Sequence, residues 1–152
     1  MATFNKFDQF VVDLCGKVYD LIGVTPGTDS DILKVYLSNA IPSASLDLVK
    51  ADLAEIATGF GYTGPIAITN NGVGSAGTVT LSGLSVQVAA SGGSIGPFQY
   101  VPLFNDTPTV PLDPLIGWAD YGSALTLLDG ETFDIKFNNA AVGARGNIMT
   151  LT

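Results

Sequence analysis

Between residues 5 and 22 the apolar side chains Phe7, Phe10, Val11, Leu14, Val18, Leu21 and Ile22 return at steps of three and four, while Lys6, Asp13, Lys17 and Asp20 fall largely between them. That period is the stripe of an amphipathic helix, and it predicts one N-terminal helix over residues 5–22. Asn5 is the expected N-cap, and Gly23 with Pro26 the expected stop. Gly16, in the middle, costs such a helix about 1 kcal/mol relative to alanine. After the turn residues Thr25 to Ser30, a period of two takes over in residues 32–38. Leu33, Val35 and Leu37 share one side and Ile32, Lys34 and Tyr36 the other, which predicts a first strand. Leu46, Val49, Leu53 and Ile56 return briefly to helical spacing and suggest a short second helix after Ser43 and Ser45.

From Tyr62 onward the helical period is gone. Short runs at 66–69, 78–82, 84–90, 97–104, 115–118, 124–128, 131–137 and 147–151 are separated by Gly, Pro, Asn and Asp, and each predicts a strand. Asp129-Gly130, between Leu125–Leu128 and the alternating run from Glu131 to Phe137, predicts a tight hairpin of the primed type. In its second arm Phe133, Ile135 and Phe137 are expected to face the core, with Thr132, Asp134 and Lys136 outside. The pattern as a whole predicts a mainly β fold: a β-sandwich of jelly-roll type with one N-terminal α-helix. Residues 1–152 form a single domain, with the helix at about 5–22 and the sandwich at about 31–152.

Composition narrows the choice of partners. The 152-residue chain carries fourteen acidic and six basic side chains, a formal charge of -8, and its cations are scattered. Binding to nucleic acid depends on clustered cations that displace counterions, and an anionic membrane surface makes the same demand, so neither is an expected partner. No run of eighteen uncharged apolar residues occurs, and MATFNKFDQF lacks the order of a secretory signal, so the expectation is synthesis in the cytoplasm or export as part of a particle. The eighteen glycines and eight prolines show no triplet repeat and read as turn residues. Cys15 has no second cysteine to pair with, and it is expected to be a small buried side chain of the first helix.

Two motifs suggest chemistry. Gly92-Gly93-Ser94-Ile95-Gly96 fits the G-x-S-x-G pattern of a nucleophile elbow, but an elbow opens a helix and hands its proton to a histidine. This sequence has no histidine, and Ser94 is followed by an alternating run that places Phe98, Tyr100 and Phe104 on one face. The stretch therefore reads as a turn feeding a core strand. Gly72-Val73-Gly74-Ser75-Ala76-Gly77 fits the dinucleotide fingerprint G-x-G-x-x-G, yet Gly77 leads into the strand-like Thr78-Val79-Thr80-Leu81 rather than a helix. Those glycines read as a hairpin begun at Asn70-Asn71-Gly72. Asp29-Ser30-Asp31 supplies two carboxylates without the rest of a calcium loop. The expectation is accordingly no enzyme, no cofactor and no metal site. Asp106, Asp120, Glu131 and Asp134 leave a carbohydrate-binding module or hydrolase open, although solubilising groups are the simpler reading. Trp118 and Tyr121, flanking Asp120, suit either the core or a subunit interface.

The segments ATFNKFDQFVVDL, LKVYLSNAIP, GYTG, SGGSIGPFQYVPLFNDTP and PLIGWADYGSALTLLDGETFDIKF, in that order across nearly the whole chain, resemble a family of small structural proteins of tailed bacteriophages. The sequence departs from that family's pattern in having less glycine after GYT and a smaller residue, Ala119, beside Trp118. The resemblance implies a capsid decoration (cement) protein on the outside of the virion, made in the host cytoplasm. It implies a homo-oligomer, with a trimer expected because such proteins sit on local three-fold positions, bridging subunits of the major capsid protein. The candidate subunit or capsid interface comprises Phe4, Phe7, Phe10, Trp118 and Tyr121, with packing of the helix over the sandwich's own core an equal alternative for the three phenylalanines. A tail, neck or fibre component is the alternative within the virion.

Overall fold

In chain order the elements are β1 (Thr3–Lys6), α1 (Asp8–Cys15), β2 (Leu33–Val35), a 3-10 turn (Lys50–Asp52), β3 (Ile66–Ile68), β4 (Asn70–Ser75), β5 (Thr78–Leu84), β6 (Val86–Ala89), β7 (Ile95–Asn105), β8 (Leu115–Leu127), β9 (Thr132–Ile135) and β10 (Arg145–Leu151). They come from a computed structural model that describes residues 3–22 and 30–152. The expected helix stop at Gly23 and Pro26, and most of the loop from Thr25, including Asp29, lie outside the described residues.

Among the described residues the molecule is mainly β, as the alternating runs predict, with several antiparallel sheets and one N-terminal helix. One layer is a five-stranded sheet in the order β1-β8-β7-β2-β3. The facing strands form a three-stranded sheet, β10-β5-β4, and a pair, β6-β9. Only Ser85 separates β5 from β6. The registers Leu84 opposite Arg145 and Val86 opposite Ile135 place β9 and β10 end to end along that lane, with residues 136–144 looping out between them. The second layer therefore has three lanes: β4, β5 with β6, and β10 with β9. On one side the layers are joined by the short step from β3 to β4 at Thr69. The stack is sandwich-like, and its jelly-roll connectivity stays an expectation of the sequence.

The main core lies between the layers. Leu33, Val35, Phe98, Leu103, Ile116 and Leu127 come from the first layer, and Leu81, Val88 and Ile135 from the second. Burying each such side chain contributes about 1.5–3 kcal/mol. A smaller core covers the outer face of the five-stranded sheet, where Phe7, Tyr36, Leu53, Phe104 and Leu115 cluster with Trp118 against them. That second core corrects one expectation: Tyr36, placed outside with Ile32 and Lys34 by alternation, is fully buried. Its hydroxyl donates to the Leu53 carbonyl at 3.0 Å.

The helix is shorter than its apolar period. Asn5 belongs to β1, Phe7 is the N-cap, and the helix ends at Cys15. The stop is a Schellman arrangement in which Lys17, at φ 62°, takes the left-handed position usually given to glycine. The Lys17 N–H donates to Leu14 O at 3.3 Å and the Val18 N–H to Asp13 O at 2.9 Å. Val18, Tyr19 and Leu21 then pack into the main core as non-helical chain, and this continued burial is why the stripe outlasts the helix. Cys15 is exposed rather than buried. Five residues beyond the buried Phe10 it has rotated about 140° around the axis.

Other boundaries moved for reasons of hydrogen bonding. The expected second helix is a single 3-10 turn, capped by the Asp52 carboxylate, which accepts from Leu48 N and Val49 N at 3.0 Å each. Asn70, Asn71 and Gly72 are strand, and the primed turn lies at Ala76-Gly77, with φ of 50° and 80°. Asp129-Gly130 does turn the chain, closed by Glu131 N to Leu128 O at 2.9 Å, and Gly130 alone has positive φ. That turn is not a primed hairpin: β8 pairs with β7 and β9 with β6, so it carries the chain from one layer to the other. Of its second arm, Ile135 is buried, and Phe133 and Phe137 pack against the core.

The runs 115–118 and 124–128 are one long strand, β8, because β7 pairs with it on both sides of a bulge. Tyr100 is opposite Asp120 and Phe98 opposite Leu125, leaving residues 121–124 to loop outward. The same irregularity separates the β7 aromatics: Phe98 faces the main core and Phe104 the outer one.

Candidate functional site

Phe7 and Phe10 are fully buried, so neither presents a surface to a partner. Phe7 meets Trp118 with ring centroids 4.6 Å apart, and Phe10 meets Tyr19 edge-on at 5.2 Å. Those contacts dock α1 on the molecule's own cores, the alternative that the sequence left open for this face of the helix. Trp118 is half-buried over the outer core. Phe4 and Tyr121 do lie at the surface, 37% and 53% exposed. Phe4 lies opposite Ala119 in β1, its ring over Gly117, where an added Cβ would stand 2.5 Å from it. Tyr121 rides on the β8 bulge and leans edge-on against Phe133 at 5.8 Å. The bulge is held by Asp120, whose Oδ1 accepts from Gln99 Nε2 at 3.0 Å and from Gly122 N at 2.7 Å.

Phe4 and Tyr121 border two adjoining cavities between the β1–β8 margin of the first layer and the β9–β10 margin of the second. The larger has a volume of about 500 Å³. Val35, Val101, Leu103 and Ile135 form its back, Phe4, Ala119, Phe137 and Ile148 its sides, and Lys136, Asn138 and Asn147 its polar rim. The smaller, of about 210 Å³, shares Ala119 and Lys136 with it and extends to Tyr121, Asp134 and Asn139. The loop 136–144 at the rim hangs on buried Ser85. Ser85 Oγ accepts from Phe137 N at 3.1 Å, Ser85 N donates to Ala144 O at 2.9 Å, and Ser85 O accepts from Gly143 N at 2.8 Å.

A second feature is an apolar ledge made by the loops 39–49 and 106–114. Lys50 N donates to Asp113 O at 2.9 Å and Leu115 N to Leu48 O at 3.0 Å, which locks the two loops side by side. Ile41, Leu46, Val110 and Leu112 on these loops are 80%, 76%, 86% and 63% exposed. Burial and the nearby Asp106 raise the pKa of Asp113 here. Behind the ledge Lys50 pairs with Glu55 at 2.8 Å, its Nζ 5.1 Å from the centre of the Tyr36 ring. No sequence motif marked either feature. Val110 and Leu112 fall in a Pro-rich loop without a period, Leu46 read as the start of a short helix, and the cavity is built from strands far apart in sequence.

The carboxylates considered for glycan chemistry have structural partners. Asp106 pairs with Lys34 at 2.6 Å, and Glu131 Oε2 accepts from Leu128 N at 2.8 Å. Asp134 accepts from Gln87 Nε2 at 2.7 Å and pairs with Lys136 at 3.1 Å. These two contacts, Gln87 first, hold its pKa below the usual carboxylate value. Asp31 is bound into a buried corner, its Oδ2 accepting from Asp20 N at 2.7 Å and from Asn105 Nδ2 at 2.5 Å. Burial raises the pKa of the Tyr19, Tyr36 and Tyr62 hydroxyls far above the ordinary value, so they act as structural donors. Ser94 stands exposed just before β7, and Gly77 opens β5 rather than a helix.

No protein-family model, curated protein or solved structure matches the chain. The phage resemblance is thus carried by the quoted sequence segments alone.

Proposed function

We propose that this protein is a structural subunit of a tailed-phage virion, a capsid decoration (cement) protein. In this reading it is made in the host cytoplasm and assembles on the capsid exterior as a homotrimer that bridges major capsid subunits. The observation that carries the reading is the ledge. Large apolar side chains held outward on a braced, non-repetitive surface are what a subunit contact needs, because burying them on assembly supplies the stabilisation that an isolated chain forgoes. The acidic charge of -8 fits the outer surface better than contact with packaged DNA. The well-partnered carboxylates fit a scaffold better than a glycan-cleaving site.

Cryo-electron microscopy of intact virions, combined with quantitative protein counting, tests this. The expected result is three-fold density over the capsid lattice at a copy number comparable to that of the capsid subunit. Density confined to one vertex or to the tail moves the protein to the tail, neck or fibre reading. Its absence from purified virions removes the virion reading altogether.

A further inference from the structure

The inter-sheet cavity is not needed for a scaffold, and its construction is that of a small-molecule site. We propose that it binds a neutral amphiphile: a compact apolar body with a hydroxyl or carbonyl head. Its volume of about 500 Å³ falls within the roughly 300–1,000 Å³ of ligand pockets, which combine apolar walls with a few convergent polar groups. The back wall belongs to the core, with Val35, Val101, Leu103 and Ile135 no more than 7% exposed. A partner's surface would cover the mouth of such a hole without filling it, whereas a small apolar molecule reaches in.

The rim decides the head group. Lys136 is the cation at the mouth, and Asp134 neutralises it at 3.1 Å. An anionic head would meet that carboxylate in a molecule already carrying a charge of -8. The remaining rim groups are the amides of Asn138 and Asn139, which offer both donors and acceptors to a neutral oxygen, and that of Asn147, whose Nδ2 also donates to Thr150 Oγ1 at 3.0 Å. Asn138 and Asn139 hold consecutive left-handed backbones, φ 47° and 58°, and the Ser85 bonds fix the loop that bears them. Strain of this kind persists only where surrounding structure imposes it, and it is concentrated at ligand-binding segments. The proposal stands independently of the virion reading.

The test is fluorescence titration of the full chain, in its native oligomeric state, with the neutral probe N-phenyl-1-naphthylamine, followed by displacement with 1-decanol or with decanoate. Saturable binding at one probe per chain is expected, with decanol displacing it at least tenfold better than decanoate. Ala119→Phe, which fills the cavity from β8, should weaken probe binding at least tenfold at an unchanged melting midpoint. Ile148→Trp fills it from the opposite layer and provides the same readout should the first variant not fold. No saturable binding, or binding unchanged in the filled variants, overturns the site. Displacement by decanoate as good as by decanol overturns the neutral head. Probe binding that vanishes as chains associate shows that a second copy occupies the cleft, and likewise overturns the proposal.

Discussion

At the scale of single residues, two positions work against their own chemistry. Asp113 sits in the left-handed region at φ 51°, its carbonyl engaged by Lys50 N. Its carboxyl pKa is raised from the ordinary 3.8, first by burial and then by repulsion from Asp106. A carboxyl whose folded pKa lies above its unfolded value binds protons more tightly when folded. Its favourable contribution is therefore full below pH 3.8 and is lost as the pH rises through the folded value. Asp113→Asn keeps the shape and the tolerance for left-handed backbone while removing the charge. Urea midpoints should show this variant to be more stable than the native chain at pH 7, with the advantage fading as the pH approaches 3.8. Lys17 is the other case, since the helix stop needs a positive φ that a side chain resists. Lys17→Gly should raise stability by about 0.5–1 kcal/mol in the same measurement, the relief of strain exceeding the entropy that glycine adds to the unfolded chain.

Elements are governed here by close backbone approach. Gly146 in β10 lies opposite Gly83, and a Cβ on it would overlap the Phe137 carbonyl and stand 3.0 Å from Ala140. Because those atoms belong to the loop 136–144, Gly146→Ala must lift the loop from its Ser85 anchor. The expected cost is about 2–3 kcal/mol, with faster hydrogen exchange at the Ser85 amide. Gly77→Ala meets nothing within 4 Å and carries only the penalty of its φ of 80°, so it should cost less. The same closeness explains what alternation revealed and what it did not. Leu33, Val35 and Leu37 read correctly as one buried side because β2 lies regularly between β3 and β7. Phe98 and Phe104 read as one face and are not, because the bulge between them rests on the long-range register with β8. Gly72 resembled a phosphate loop, yet its bare Cα serves the backbone of Leu21, which packs directly over it.

On the scale of the whole molecule, the fold class was legible and the functional surface was not. Aromatic residues near the N-terminus suggested an interface, but burial depends on which faces the two cores cover: the main core claims Phe10 and the outer one Phe7, while Phe4 is left outside. The ledge arises because two loops distant in sequence are braced through Lys50 and Leu115, a pairing that no local pattern encodes. In the single subunit Val110 and Leu112 are 86% and 63% exposed, so replacing them removes little intramolecular burial. The double variant Val110→Ser/Leu112→Ser should leave the stability of the dissociated chain within about 0.5 kcal/mol of the native value. In an assembly that buries the ledge, the same two changes each expose an apolar contact. Sedimentation equilibrium should then show self-association weakened by at least tenfold for the variant, since roughly 1.4 kcal/mol of lost contact corresponds to that factor. Charge-neutral serine is chosen so that repulsion between chains cannot mimic the effect. Native and variant chains that associate equally would mean that the ledge lies outside the subunit contact.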